Sequence, residues 1–212
     1  ASDVYKRQIL ERGTDGFIIN PQSGKMGMKG SSTAELVFTN TPVSEKNIIG
    51  DGVDGFKKLM DILNGSRIGI AAQGVGLAQA AYDVSVSYAK QRSAFGGKLS
   101  EFQAIQWMIA DSEVELRAAR MLVYDAASKV DAGQSGKVDA SICKLYGTET
   151  AGRVVDRAIQ MFGGMGVAEE MPLERWYREL RVKRIGEGPS EVHRMVIARD
   201  KLRNTSGGVY FN

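Results

Sequence analysis

Cysteine and histidine are nearly missing from this chain: its 212 residues hold one of each, Cys143 and His193. A single thiol excludes an intramolecular disulfide and any zinc cage built on thiolates. A single imidazole excludes a multi-histidine metal centre, and a Ser-His-Asp triad would have to use that one ring. No apolar run is long enough to span a bilayer. The opening residues ASDVYKRQ lack the apolar segment of a secretory signal, so secretion is not expected. The net charge is only +3, and no lysine-arginine block dominates, which makes nucleic acid a weak default partner. What the chain does have is core-forming material. Hydrophobic residues make up 43% and charged residues 25%, enough for one large domain or one domain and part of another, and unlike a disordered chain.

Two regions read differently. Residues 9–50 hold short β-rich runs, Phe17-Ile18-Ile19 and Ala34–Thr39, separated by turn clusters such as Asn20-Pro21-Gln22-Ser23-Gly24. Two to four antiparallel strands are expected there. So few strands are marginal alone, so the rest of their sheet is expected upstream of Ala1. From about Gly55 to Leu202 the period is helical. Leu63, Ile70, Gly74, Leu77, Ala81 and Tyr88 recur at steps of three, four or seven. Leu116, Ala119, Val123, Ala126 and Val130 do so in 100–131, and Val138, Ile142, Leu145, Gly152, Val155 and Ile159 do so in 137–162. A last helix is expected from Pro189. Three helices of roughly 26–37 residues, each about 40–55 Å long, are expected to pack antiparallel. The fold class expected is mainly α, a four-helix bundle preceded by a few antiparallel strands.

Four local features could carry chemistry. In Arg184-Ile185-Gly186-Glu187-Gly188-Pro189-Ser190-Glu191 a carboxylate stands between two glycines just ahead of a helix. It reads as a general base if a ligand desolvates it, or as a solvated carboxylate at a helix N-terminus, the commoner role on spacing alone. Gln160-Met161-Phe162-Gly163-Gly164-Met165-Gly166 is either a helix end and turn or bare backbone that admits a phosphate-bearing ligand. Arg92-Ser93-Ala94-Phe95-Gly96 sets a cation and a ring at a helix exit, suited to pyrophosphate or to the helix dipole. Asn64-Gly65-Ser66-Arg67 puts polar groups in an apolar helical run, as an exposed stripe or a ligand-facing patch. His193, in the first turn of the last helix, has no second metal ligand, and Cys143 reads as core.

Taken together in this order and spacing, these motifs resemble the acyl-CoA dehydrogenase family. The likeness runs over nearly all of residues 9–203. It includes Lys25-Met26-Gly27-Met28-Lys29-Gly30-Ser31-Ser32-Thr33, Gly65-Ser66-Arg67-Ile68-Gly69-Ile70 and Arg92-Ser93-Ala94-Phe95-Gly96. It ends with the Gly163-Gly164 cluster and Glu187-Gly188-Pro189-Ser190-Glu191-Val192-His193-Arg194. The resemblance implies that residues 9–50 are the C-terminal part of a middle β-domain and 51–205 a C-terminal helical bundle. Residues 1–8 and 206–212 do not resemble the family.

By this resemblance the chain is part of an FAD-dependent oxidoreductase that converts a saturated acyl-CoA thioester to the trans-2-enoyl-CoA, in fatty acid β-oxidation. Glu187 matches the catalytic base that takes the α-proton while hydride leaves the β-carbon for flavin N5. Its backbone N–H, with a ribityl hydroxyl, is expected to hold the thioester carbonyl. Some relatives carry the base immediately before the arginine of the first bundle helix, where this chain has Ser66. Arg67, Ser66 and Gly188 match positions on the acyl-CoA. Arg92, Phe95 and Gln103 match positions that reach the FAD of a neighbouring subunit, and Gln160, Gly163 and Gly164 the patch under its ADP portion. Many members carry Thr and Gln where this chain has Pro189 and Glu191; Glu191 matches a position at the FAD phosphate or adenine, and Pro189 has no N–H or hydroxyl to offer. No metal site is implied. The implied partners are acyl-CoA, further copies of the chain in a homodimer or homotetramer, and electron-transferring flavoprotein as acceptor. The compartment implied is the cytoplasm in a bacterium or the mitochondrial matrix in a eukaryote. An acyl-CoA oxidase or another flavoenzyme on this fold would reuse the same carboxylate, and a helical module that only binds a partner would use none of it.

Overall fold

A computed structural model describes residues 7–50 and 55–204. The expectations for residues 1–6 and 205–212, and for the domain junction at 50/51 on its C-terminal side, fall outside these residues. The chain divides into two compact units, Ala1–Leu63 and Asn64–Asn212.

The N-terminal unit is built on two antiparallel strands, β1 (Phe17–Pro21) and β2 (Ala34–Phe38), in a register that pairs Phe17 with Phe38 and Pro21 with Ala34. The rings of Phe17 and Phe38 stack with centroids 5.2 Å apart, the cross-strand aromatic pairing that stabilises such ribbons. A single bridge joins Gln8 to Ile48. Ile18, Leu36 and Phe38 are exposed. Two strands with apolar side chains in water are the lower end of the expected two to four, and such a ribbon is marginal without neighbours.

The first helix, α1 (Gly55–Gln91), runs from this unit into the next. The C-terminal unit continues with the hairpin β3 (Ser93–Ala94) and β4 (Gly97–Lys98). Helices α2 (Gln103–Asp131), α3 (Lys137–Phe162), α4 (Leu173–Lys183) and α5 (Ser190–Asn204) follow. Helix α2 buries one stripe, Ser112, Leu116, Ala119, Val123 and Ala126, as its period predicts, while Val130 stays exposed. It stops in a turn where Gly133 (φ 75°) donates to Val130 O at 2.9 Å and Gln134 donates to Lys129 O at 2.9 Å. That pair of bonds closes the helix and requires a left-handed residue at Gly133.

Helix α3 is the centre of the unit. Thirteen of its 26 residues are buried, on more than one face, because it packs against α2, α4 and α5. Helix α1 crosses it where both are smallest. A Cβ on Gly147 would stand 3.4 Å from Ala71 Cβ, and one on Gly74 would stand 3.5 Å from Ala151 Cβ. The shared core joins Ala71, Val75, Ala78 and Ala81 to Leu116, Cys143, Ala151, Val155, Leu173 and Leu180.

The bundle differs from the expected one in a single element. Residues 163–189 are not a continuation of long-helix periodicity. They form a 3-10 turn (Gly163–Val167), the short helix α4, and an irregular turn before α5. The cause is local: glycines 163, 164 and 166 break the chain first, and Gly186, Gly188 and Pro189 break it again. Among the described residues no helix is long and apolar enough to cross a membrane.

Candidate active site

The turn between α4 and α5 carries Glu187 in a left-handed conformation, φ 56°, followed by Gly188 at φ 100°. A non-glycine residue in that region costs about 1–2 kcal/mol, so neighbouring groups must hold it there. Three sets of side chains do so. From α1, the Ser66 hydroxyl donates to Glu187 Oε2, and Arg67 Nε donates to the Glu187 carbonyl at 3.2 Å. Arg67 is only 5% exposed, and its second contact is Asn64 Oδ1 at 3.0 Å. From the middle of α3, Lys144 Nζ donates to Gly188 O at 2.6 Å and Arg184 O at 3.4 Å. Also from α3, Glu149 accepts from Ser190 Oγ at 2.7 Å and pairs with Arg184 at 2.7 Å. The Glu187 side chain itself is half-buried.

Charge is concentrated under this turn. Lys144 is fully buried, and burial with Arg67 nearby pushes its ammonium down to about 8, while Glu187, Glu149 and Glu191 pull it back only in part. His193 is also fully buried, and among the described residues neither ring nitrogen finds a hydrogen-bond partner. Burial, then Lys144 and Arg67, pushes it down to about 4, although the backbone of Gly188 and Glu187 acts weakly the other way. It is therefore neutral and packs beneath Gly188, where a Cβ would stand 3.2 Å from its Nε2. Glu149 is held below the usual carboxylate range by Ser190 and Arg184, against the opposing effect of its own burial.

A second cluster lies at the other end of α1 and α3. Arg92, Gln160, Gly163 and Gly164 line one cleft of about 540 Å³, floored by Tyr88 and Phe162, whose rings stack at 4.0 Å. Among the described residues, nothing beyond the adjoining chain lies within 4 Å of where a Cβ would sit on Gly163 or Gly164, so their backbone faces open space. The adjoining hairpin turns at Phe95 (φ 49°) and Gly96 (φ 88°), the pair of positive φ angles that a two-residue turn between twisted strands requires. Phe95 stands at its tip, 97% exposed.

The structure thus gathers Glu187, Ser66, Arg67 and Gly188 at one end and Arg92, Gln160, Gly163 and Gly164 at the other. Phe95 and Gln103 sit beside the second cluster but outside the cleft lining, on the hairpin and at the start of α2. Glu191 joins the first cluster, on the opening turn of α5, with its side chain 81% exposed and Arg194 at 4.0 Å. Lys144 and Glu149 escape a reading of motifs. The available signal was a lysine on the buried stripe of α3, three and four residues from Gly147 and Ala140.

A family model, acyl-CoA dehydrogenase C-terminal domain, matches residues 53–202. The chain belongs to the acyl-CoA dehydrogenase family. The acryloyl-CoA reductase (NADH) of Anaerotignum propionicum is 44% identical over 92% of this chain and 50% of its own length. A short-chain-specific acyl-CoA dehydrogenase of Megasphaera elsdenii is 44% identical over 92% of this chain and 51% of its own. The solved structure of butyryl-CoA dehydrogenase from Megasphaera elsdenii superposes with a TM-score of 0.87 at 43% identity, covering 93% of this chain and 52% of that one. The chain spans about half the length of the curated relatives it matches.

Proposed function

We propose that this acyl-CoA dehydrogenase chain carries the base and the acyl-CoA contacts for α,β-dehydrogenation of a saturated acyl-CoA thioester. The observation that supports this most is the Glu187 carboxylate, held between two glycines against the Ser66 hydroxyl. Glycine on both sides leaves room for a flat thioester, and no second carboxylate stands at position 66 to share the proton. Glu187 takes the α-proton, and its own backbone N–H holds the thioester carbonyl, so that negative charge developing on that oxygen is stabilised. Arg67 braces the Glu187 carbonyl from behind and lies beside the acyl group. FAD, when bound, supplies the acceptor for the hydride leaving the β-carbon.

The Arg92 cleft fits the ADP half of such a cofactor. Gly163 and Gly164 present bare backbone, and the guanidinium of Arg92 suits a pyrophosphate. Phe95 and Gln103 extend the same surface. Ser66 and Arg92 stand roughly 40 Å apart along α1 at 1.5 Å per residue, farther than one extended FAD molecule spans. That separation supports a flavin shared between two copies of the chain, with one copy's cleft serving the other's Glu187, and hence a homodimer or a homotetramer built from it. Electron-transferring flavoprotein is the proposed acceptor of the electrons. Run backwards, the same site reduces an enoyl-CoA with Glu187 as the acid, the direction that the name of the Anaerotignum relative describes.

The test is anaerobic addition of a short or medium saturated acyl-CoA to the FAD-loaded protein expressed from its complete reading frame, following the visible flavin band. Prompt bleaching is expected. A flavin that binds but is bleached by no acyl-CoA overturns the reading, and rapid reoxidation by oxygen after bleaching would make the protein an oxidase.

A further inference from the structure

We propose that Lys144 is a positioning residue for Glu187: with Glu149 on the same helix, it pins the Arg184–Ser190 turn from its buried side and so sets the direction of the base. This inference rests on the function proposed above.

The geometry is that of a clamp whose jaws, Lys144 and Glu149, stand about one and a half turns apart on α3. Lys144 grips two carbonyls, Gly188 O and Arg184 O. Glu149 grips two side chains, Arg184 and Ser190, at the two ends of the same turn. Between these fixed points the chain must pass through Glu187 and Gly188, both left-handed. An L-residue does not settle there unaided. Ser66 and Arg67 hold the same stretch from α1, through the Glu187 carboxylate and the Glu187 carbonyl.

Burying a lysine amine is costly and needs a return in bonds. Lys144 is 0% exposed, yet its hydrogen-bond acceptors are backbone carbonyls and not a carboxylate. A stability role alone would be served as well by an apolar side chain of the same volume, since a buried charge is commonly no better for stability than its hydrophobic isostere. What the apolar side chain could not do is hold the Gly188 carbonyl. Losing it frees the Gly188–Pro189 peptide to rotate, and the left-handed backbone that aims the neighbouring Glu187 carboxylate shifts with it. A displacement of about 1 Å at a reacting group costs on the order of 10²-fold in rate.

The experiment compares wild type, Lys144→Met and Lys144→Arg in the FAD-loaded protein. Three quantities are read: the limiting rate of flavin reduction by saturating acyl-CoA, the Kd of an acyl-CoA analogue that cannot be dehydrogenated, and amide exchange of the segment 184–190. Lys144→Met is expected to lower the limiting rate by about 10–100-fold. It should change the Kd by less than about 3-fold and speed exchange in 184–190 while leaving α2 protected. Lys144→Arg, which keeps the donors, is expected to restore part of the rate. A folded Lys144→Met with wild-type rate and wild-type exchange overturns the proposal, as does a loss of rate matched by loss of binding. Should the methionine variant not fold, Lys144→Gln takes its place under the same criteria. The exchange readout needs no turnover. If wild type itself fails to bleach, the functional reading falls while the clamp is still tested.

Discussion

The hydroxyl of Ser66 donates to the carboxylate of Glu187 across 121 positions of sequence. It joins the first bundle helix to the turn before the last one, and it puts position 66 within one hydrogen bond of the proposed base. Replacing Glu187 by Gln should remove the base while keeping the side chain's shape. Flavin reduction is expected to fall by about 10²–10⁴-fold with acyl-CoA binding largely intact, read by single-turnover bleaching and by titration. Near-normal bleaching would remove Glu187 from its role.

The same contact makes Ser66→Glu informative in the Glu187→Gln background. A carboxylate at 66 would occupy the space next to the missing base. The double variant is expected to bleach faster than Glu187→Gln alone, by about tenfold or more. A double variant no faster than the single one would mean that α1 does not face the reacting carbon.

Gly188→Ala should harm both stability and rate. The residue sits at φ 100°, and the added methyl would lie 3.2 Å from His193 Nε2. The cost expected is about 1–3 kcal/mol in a thermal or denaturant melt. Flavin reduction should fall with it, because the strained residue directly follows Glu187.

His193 predicts a pH dependence of stability. Its folded value is pushed down to about 4 from an ordinary 6.5, so between those limits the unfolded chain binds the extra proton. The contribution of His193 is therefore complete above about pH 6.5 and falls as pH drops towards 4, by roughly 3 kcal/mol in total. Glu115 and Glu149, both held low by arginine partners, act in the same direction but only below 4.5. The interval between pH 4.5 and 6.5 thus isolates the histidine. Denaturant melts across it should show a slope in wild type that is absent in His193→Leu; equal slopes would contradict a neutral buried ring.

Phe95→Ala separates surface from core. The ring is 97% exposed at a hairpin tip, so the melt of the flavin-free chain should move by less than about 0.5 kcal/mol. Retention of FAD and of the proposed dimer, read by flavin fluorescence and sedimentation, should weaken. Unchanged retention would place the flavin elsewhere.

Much of this could be read in the order of residues. The helical stripes at steps of three and four, the glycine breaks, and the motifs around Glu187, Ser66–Arg67, Arg92 and Gly163-Gly164 are local properties. They depend on side-chain period and on glycine's backbone freedom, which act over a few residues wherever the chain goes. Helix α4 was harder, because a short amphipathic helix between two glycine-rich turns has too few periods to stand out from the longer helices around it.

The tertiary structure decided what those motifs meet. Only packing brings Ser66 to Glu187, buries Lys144 under the Gly188 carbonyl, and leaves His193 without a hydrogen-bond partner between two cations. Each of these depends on which groups from distant helices share a dry space, and hence on the small-residue crossing of α1 over α3 and the burial of α3 by its neighbours. Sequence determined that a carboxylate would stand between two glycines before a helix. The distinction between a solvated cap and a braced, half-buried carboxylate came from long-range burial, which no local pattern encodes.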